Sequence, residues 1–273
     1  MQNDFDLGAY FECIGYDGRK TPQLETLCAI HRLHPQAIAF ENLNPLLGWP
    51  VLLDSRSLQQ KLVKQQRGGY CYEHNLLLKH ALESIGFKVV GLAARVLWNN
   101  ADDAIRPRTH MLLQIDIEDE IWIADVGFGG STPTAPLRLV EHTPQATPHE
   151  LFRVTRLSGD YAVQAEMRGE WRTLYRFDMQ EQVLPDYEVT NWYLSHHPES
   201  HFVRRLIAAR TEVGKRYALS NNELAIHELG GETERRKLTS LNELRGALSE
   251  VFRIVVPEGP EVDAKLQGIA ESG

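Results

Sequence analysis

The sequence lacks the features that identify membrane, secreted and nucleic-acid-binding proteins. No stretch approaches the ~18 consecutive apolar residues of a membrane span, so no membrane partner is expected. Residues 1–6 contain neither a basic region nor an apolar run, and therefore predict no secretory signal. The net charge of −8 argues against a nucleic-acid partner, because binding to a phosphate backbone needs a basic surface.

Cysteine is also scarce, and its spacing argues against two kinds of site. Cys13, Cys28 and Cys71 form no Cys-x-x-Cys pair and no metal-ligand pattern, so neither a disulfide framework nor a metal is expected. Three unpaired cysteines suit a reducing compartment, and the predicted location is the cytoplasm. The 273 residues are enough for two or three subdomains that share a core.

The period of the hydrophobic pattern changes near residue 86. Before that point it is helical, with a helix start at Thr21-Pro22, a turn at Asn44-Pro45 and a helix from Cys71 to a C-cap at Gly86. After that point apolar residues alternate, which predicts an antiparallel sheet that is curved or barrel-like. The predicted strands of this sheet are residues 89–98, 110–117, 121–128, 151–157, 161–167 and 171–177.

The last third of the chain predicts short elements of both kinds. They are helices at residues 187–194 and 240–252 and strands near residues 204–209, 216–219 and 224–228. The charged residues 232–237 are predicted to form a solvated turn, with phosphate binding as the alternative. The polar tail from Pro257 is expected to be loose.

Residues 67–75, RGGYCYEHN, carry the main chemical signal. They place Cys71 where a glycine turn runs into a helix, and the N–H groups at a helix N-terminus favour an anion such as a thiolate. Cys71 is therefore a candidate nucleophile. Further along the chain, His110 could act as its base and Asp125 could orient the imidazole.

The hairpin that contains His110 and Asp125 offers a geometric test of this triad. With an even number of residues in the turn, Asp125 faces Leu112 and His110 faces Gly127. His110 and Asp125 are then diagonal neighbours on one face, within reach of each other. With an odd number they fall on opposite faces unless a bulge intervenes. The triad hypothesis therefore predicts the register of the hairpin.

Neighbouring residues of the motif have other interpretations. His74 is an alternative base, because residues three apart on a helix share a face. Arg67 is expected to pair with a carboxylate such as that of Glu41. Glu73 is expected to cap the helix or to point into solvent.

Five segments together resemble the arylamine N-acetyltransferase family. Besides residues 67–75, the matching segments are residues 40–43 (FENL), Thr109-His110, residues 125–129 (DVGFG) and residues 190–202, which contain NWYLS and HPESHF. They occur in the order typical of the family. The resemblance spans residues 10–205, and no sharp motif follows.

The resemblance implies an α+β fold whose core is similar to that of cysteine proteases and transglutaminases. It implies a helical bundle over residues 1–86 that carries the nucleophile. An antiparallel β-barrel would cover residues 87–195 and carry the histidine and aspartate. Residues 196–273 would form an α/β lid.

The resemblance also implies an activity in xenobiotic metabolism. Acetyl-CoA would acetylate Cys71, coenzyme A would leave, and an arylamine or hydrazine would take the acetyl group, with His110 as acid/base and Asp125 as its orienter. No metal takes part. The positions that match substrate-pocket residues are Phe40, Thr109, Gly127, Phe128 and Phe202. The expected state is a monomer or homodimer.

Three other functions remain open on the sequence. An amide synthase of the same family would use a carrier-tethered polyketide acyl chain. A cysteine peptidase or transglutaminase-like hydrolase would use the same order of Cys, His and Asp. A non-catalytic binding module would need none of the three.

Overall fold

The computed structural model describes residues 5–272, which fold into nine α-helices, an eight-stranded sheet and a five-stranded sheet. Residues 1–4 and Gly273, the two ends of the predicted bundle and lid, lie outside the described residues. Within residues 5–272, no helix combines the length and the apolar composition of a membrane span.

The N-terminal region is helical, as predicted. Its elements are α1 (Leu7–Ile14), α2 (Leu24–Ala37), β1 (Phe40–Glu41), α3 (Leu43–Leu47), α4 (Ser55–Leu58), a π-helical continuation (Gln59–Lys64) and α5 (Cys71–Ile85). Helix α5 starts at Cys71 and is capped at its C-terminus by Gly86, which has a left-handed conformation with φ of 105°. Gly15 caps α1 in the same way, with φ of 68°. Its Leu77, Leu78 and Leu82 are fully buried.

Two predictions for this region are wrong in detail. Helix α2 begins at Leu24 rather than at Thr21-Pro22. The predicted turn at Asn44-Pro45 lies inside α3. A proline is accepted there because the N–H groups of the first helical turn need no partner within the helix.

The middle of the chain forms the eight-stranded sheet. Its strands are β2 (Lys88–Val96), β3 (Arg108–Ile117), β4 (Glu120–Ala124), β5 (Leu137–Arg138), β6 (Gln145–Ala146), β7 (Leu151–Leu157), β8 (Asp160–Met167) and β9 (Glu170–Phe177). They pair antiparallel in the order β5-β4-β3-β2-β9-β8-β7-β6. A bridge between Glu141 and Val154 brings the two ends of the sheet together, so the predicted barrel is confirmed as nearly closed.

The β3–β4 hairpin has the register that the triad hypothesis requires. Its turn contains two residues, Glu118 and Asp119, both with positive φ, as a two-residue hairpin turn demands. The pairs include Leu113 with Ala124, which continues in register toward Leu112 and Asp125. The ladder ends at Ala124, however, so β4 is shorter than the predicted strand over residues 121–128.

The C-terminal third forms the second sheet and its covering helices. The elements are α6 (Leu184–His196), α7 (His201–Arg204), β10 (Ile207–Glu212), β11 (Lys215–Ser220), β12 (Glu223–Glu228), β13 (Thr233–Lys237), α8 (Leu241–Gly246), a π-helical continuation (Ala247–Val251) and α9 (Pro260–Glu271). The sheet order is β1-β10-β11-β12-β13, so the N-terminal Phe40–Glu41 completes this sheet. The α+β class is confirmed.

Two further predictions fail in this region. Residues 232–237, predicted as a solvated turn, contain the edge strand β13, whose side chains are mostly exposed. The tail after Pro257, predicted to be loose, contains α9. Val262, Leu266 and Ala270 recur every four residues on α9 and are buried in one cluster with Leu244 and Phe252. The many polar residues on the outer face of α9 hide this narrow apolar stripe in the sequence.

Leu266→Ala is expected to lower the free energy of unfolding by about 2–5 kcal/mol, because it leaves a cavity in this cluster. Lys265→Ala, at the exposed neighbouring position, should change it by less than about 0.5 kcal/mol. Urea unfolding measures both. Equal effects of the two substitutions would contradict the packing of α9.

Candidate active site

Cys71 lies at the first position of α5 and is buried. Its Sγ lies 3.7 Å from the main-chain oxygen of Thr109, to which the thiol can donate, and it also contacts the side chain of His110. The partial positive charge of the first N–H groups of α5 therefore acts on a sulfur that already faces an imidazole.

His110 and Asp125 form a close, buried pair. The distance between His110 Nε2 and Asp125 Oδ2 is 2.7 Å, and the two side chains are 3% and 1% exposed. His110 projects from β3, and Asp125 directly follows the last paired residue of β4. The hairpin register thus brings both residues to the start of α5.

The charges of this pair depend on each other. Burial by itself would lower the pKa of His110. The charge and hydrogen bond of Asp125, with the contact to Cys71, outweigh burial and raise the pKa of His110 to about 10. Burial would raise the pKa of Asp125, but His110, Asn75 and the Gly127 amide hold the pKa of this carboxyl below its ordinary value. The favoured state at neutral pH is an imidazolium–carboxylate ion pair.

Asn75 ties the helix that carries Cys71 to the segment that carries Asp125. It lies one turn after Cys71, and its Nδ2 donates to Asp125 Oδ1 at 3.0 Å and to the Met111 carbonyl at 2.8 Å. Its Oδ1 accepts from the Val126 amide at 3.1 Å. The motif of residues 67–75 contains Asn75, but the sequence analysis assigns it no role. Its i+4 spacing from Cys71 was the available signal.

Gly127 allows the barrel segment to approach α5 closely. A Cβ at this position would lie 2.9 Å from Asn75 Nδ2 and 2.9 Å from both Cα and O of Cys71. The Gly127 amide also donates to Asp125 Oδ1 at 2.9 Å. The absence of a side chain therefore sets the spacing between the nucleophile and the carboxylate.

Two buried acids stabilise the chain at the start of α5. Glu73 accepts from the Tyr70 amide at 3.0 Å and pairs with Lys61 at 2.7 Å, so it caps the helix but does not point into solvent. Arg67 pairs with Glu41 at 2.7 Å, which confirms the predicted ion pair. The two pairs together fix residues 67–73, which contain Cys71.

His74, the alternative base, faces away from the sulfur. Its Nδ1 lies 2.9 Å from Nε2 of His34, and its Nε2 lies 3.1 Å from the carbonyl of Ala39. Burial lowers its pKa to about 4, so the ring is neutral at physiological pH. The structure gives His74 no contact that a base for Cys71 would need.

Cys71 and His110 open into a cavity of about 440 Å³. All five predicted pocket residues line it: Phe40, Thr109, Gly127, Phe128 and Phe202. The ring of Phe128 meets that of His110 edge to face at 5.2 Å, and Phe40 packs against Phe202 at 6.0 Å between ring centroids. The cavity is thus aromatic around the sulfur, and it suits a flat apolar ligand.

A second cavity of about 610 Å³ adjoins the first, and both arginines and glutamates line it. Trp98, Ser131 and Arg235 line both cavities, and Arg168 and Arg172 line the second. The sequence alone does not indicate these residues individually, because they come from separate parts of the chain. Guanidinium groups are well suited to phosphate, so this region could hold a phosphorylated ligand.

Among residues 5–272, no group of three or more His, Cys, Asp or Glu side chains is placed to hold a metal ion.

The chain is similar to known acetyltransferases over nearly its whole length. A family model described as N-acetyltransferase matches residues 23–261. The arylamine N-acetyltransferase of Mycolicibacterium smegmatis is 43% identical, over 98% of this chain and 99% of that protein. The arylamine N-acetyltransferase of Escherichia coli K12 is 39% identical, over 92% and 90%. The structure of Mycobacterium marinum arylamine N-acetyltransferase in complex with CoA has a TM-score of 0.93 at 39% identity, over 97% of this chain and 99% of that chain.

Gly127→Ala is expected to lower the free energy of unfolding by about 1–3 kcal/mol, because the added methyl group meets the backbone of Cys71. Gly130→Ala is the matched control, since a Cβ there meets no atom within 4 Å. Chemical denaturation compares the two. A neutral Gly127→Ala would show that the close approach to α5 is not needed.

The pH dependence of stability follows from the buried pair. Because the pKa of His110 is raised in the folded state, protonated His110 stabilises the fold. This contribution is complete below about pH 6.5 and is lost as pH rises through about 10. Because the pKa of Asp125 is lowered in the folded state, its carboxylate stabilises the fold at pH values above the ordinary pKa of 3.8. This contribution is lost as the pH falls below 3.8. Asp125→Asn should therefore cost about 3–5 kcal/mol between about pH 4 and 6.5, and less near pH 10.

Denaturant titrations of the wild type and Asp125→Asn across pH 4–10.5 measure this difference directly. Asp119→Asn, which changes an exposed carboxylate in the same hairpin, is the control and should give a small difference that hardly varies with pH. A pH-independent cost of Asp125→Asn would contradict the buried ion pair.

Proposed function

The chain belongs to the arylamine N-acetyltransferase family of acyltransferases, and we propose that it moves the acetyl group of acetyl-CoA to an arylamine or hydrazine through an acetyl-Cys71 intermediate. One observation carries this proposal: the contact of Cys71 with His110, and of His110 with Asp125, at the end of an aromatic cavity. The CoA complex of the related Mycobacterium marinum enzyme supports the choice of donor.

In the first half-reaction, the Cys71 thiolate attacks the carbonyl carbon of the acetyl thioester. The imidazolium of His110 favours the thiolate before attack, because opposite buried charges stabilise each other. A bond forms between Sγ and the acetyl carbon, the bond to the sulfur of coenzyme A breaks, and that sulfur takes the proton of His110. The products are acetyl-Cys71, neutral His110 and coenzyme A.

In the second half-reaction, the amine nitrogen attacks the acetyl carbon. Neutral His110 accepts a proton from that nitrogen, and the bond between carbon and Sγ breaks. The thiolate and the imidazolium are regenerated together. Asp125 remains ionised throughout and keeps His110 in one orientation through the 2.7 Å contact with Nε2.

The cavity walls have separate roles in this proposal. Phe40, Phe128 and Phe202 hold the aromatic ring of the acceptor, and Thr109 and Gly127 flank the acetyl group. The phosphates of coenzyme A extend into the second cavity toward Arg235 and its neighbours. The pantetheine arm would then pass between the two cavities, where Trp98 and Ser131 line both.

We also propose the division into three domains and a cytoplasmic location. Residues 1–86 contain Cys71, residues 87–195 contain His110 and Asp125, and residues 196–273 contain Phe202 and Arg235, which line the cavity. The cytoplasmic location is supported by Cys13, Cys28 and Cys71, all of which are free.

Incubation of the enzyme with acetyl-CoA in the absence of an amine should place one acetyl group on Cys71, because the second half-reaction then has no acceptor. Mass spectrometry of the intact protein and of its peptides measures the adduct. Cys71→Ala should show none and should lose acetyl transfer to anilines, while Cys13→Ala and Cys28→Ala keep both.

An active enzyme that never carries an acetyl group would exclude the ping-pong route. Turnover of a carrier-linked acyl chain but not of acetyl-CoA would favour the amide synthase. Release of amine from a peptide would favour the hydrolase.

A further inference from the structure

His31 lies outside the proposed triad and contacts the main chain of Asp125. It lies on α2, its side chain is completely buried, and its Nε2 lies 3.1 Å from the main-chain nitrogen of Asp125. A main-chain N–H can only donate, so Nε2 of His31 must be the acceptor. The proton of the neutral ring is therefore on Nδ1.

The amide of Asp125 needs this acceptor because the strand ladder ends one residue earlier. Strand β4 pairs with β5 through Trp122 and Ile123, and with β3 as far as Ala124. Asp125 itself is buried beyond the last pair. Buried main-chain donors are almost always paired, and here the partner is a side chain from a distant helix.

The environment of His31 Nδ1 shows that the contact with the Asp125 amide determines which ring nitrogen carries the proton. That atom is buried and has no hydrogen-bond partner among the described residues. Exchange of the two ring nitrogens or of the proton between them would leave the Asp125 amide without an acceptor. The observed arrangement leaves the histidine donor unpaired and keeps the amide of Asp125 paired.

We propose that His31 is a positioning residue of the acetyl-transfer site: it holds the main-chain amide of Asp125 and thereby keeps the carboxylate aligned with His110. This inference rests on the proposed function of the Cys71–His110–Asp125 triad. His31 fixes the main chain of Asp125 from one side, while Asn75 and the Gly127 amide fix its carboxylate from the other.

The surroundings of His31 keep it in the accepting form. Burial lowers its pKa to about 4, although the charge of Asp125 acts in the opposite direction. The other titratable group that faces it is His34, three residues along α2, which burial and the two neighbouring histidines also keep neutral, with a pKa well below its ordinary value. Protonation of His31 would place a donor against the N–H of Asp125.

His34 provides a matched control. It is as deeply buried as His31 and lies on the same helix. Its Nδ1 lies 2.8 Å from the hydroxyl of Tyr10, and its Nε2 lies 2.9 Å from Nδ1 of His74, so both partners are outside the triad. Loss of the His34 ring should therefore affect packing without changing the alignment of Asp125.

The experiment measures alkylation of Cys71 by iodoacetamide at pH 5.5 and pH 8.5, which requires no acetyl transfer. The ratio of the rate at pH 5.5 to the rate at pH 8.5 reports how well the imidazolium of His110 faces the sulfur, because an adjacent imidazolium favours the reactive thiolate. His31→Leu removes the acceptor and is expected to lower this ratio about tenfold. His31→Gln places an amide oxygen near the position of Nε2 and should keep the ratio within about threefold, the range of ordinary mutational scatter.

His34→Leu should retain the wild-type ratio even if it lowers thermal stability. Equal ratios for His31→Leu and His34→Leu, or no rescue by His31→Gln, would overturn the proposal. If His31→Leu does not fold, ¹⁵N NMR of histidine-labelled wild-type protein decides. A proton on Nδ1 of His31 supports the proposal, and a proton on Nε2 overturns it.

Failure of this proposal can be distinguished from failure of the proposed function. If the wild type formed no acetyl adduct on Cys71, the acetyl-transfer mechanism would be excluded, and the alkylation ratios would still show whether His31 aligns Asp125 with His110. A wild type that forms the adduct, together with an unchanged ratio in His31→Leu, would remove only the role of His31.

Discussion

The buried ion pair between His110 and Asp125 is the constraint on which the rest of the site depends. Removing two charges from water is costly, and the mutual attraction of the charges offsets this only when geometry is good and the remaining polar atoms are paired. Here the second carboxylate oxygen accepts from Asn75 and from the Gly127 amide, and the main chain of Asp125 donates to His31. The pair is therefore held by contacts from α5, α2 and the segment after β4.

The same contacts explain why the helical and barrel regions must fit closely. Cys71 belongs to α5, His110 to β3 and Asp125 to the end of β4, so no single element contains the site. Asn75 bridges the helix and the barrel, and Gly127 lets them approach to within contact of the backbone. A small shift of α5 against the barrel would separate the sulfur from the imidazole, which is costly because both groups must reach the same substrate.

The parts of this arrangement that depend on local sequence could be predicted. The start of α5 follows from the glycine turn before Cys71, and the register of the β3–β4 hairpin follows from alternation and a short turn. Contacts between distant segments could not be predicted in this way. His31 meets Asp125 across 94 residues, and the arginines of the second cavity converge from separate strands. Helix α9 could not be predicted because its apolar stripe is only one residue wide, and the cluster against which it packs is formed by distant residues.

Protonation of His110 tests the central claim most directly. In ¹⁵N NMR of histidine-labelled protein, with the signals assigned through His110→Gln, both ring nitrogens of His110 should carry protons at pH 8. The second proton should be lost only near pH 10, as the ion pair with Asp125 requires. A neutral His110 ring at pH 8 would contradict the account, since neither the stabilised thiolate nor the proton that the departing coenzyme A takes would then be present.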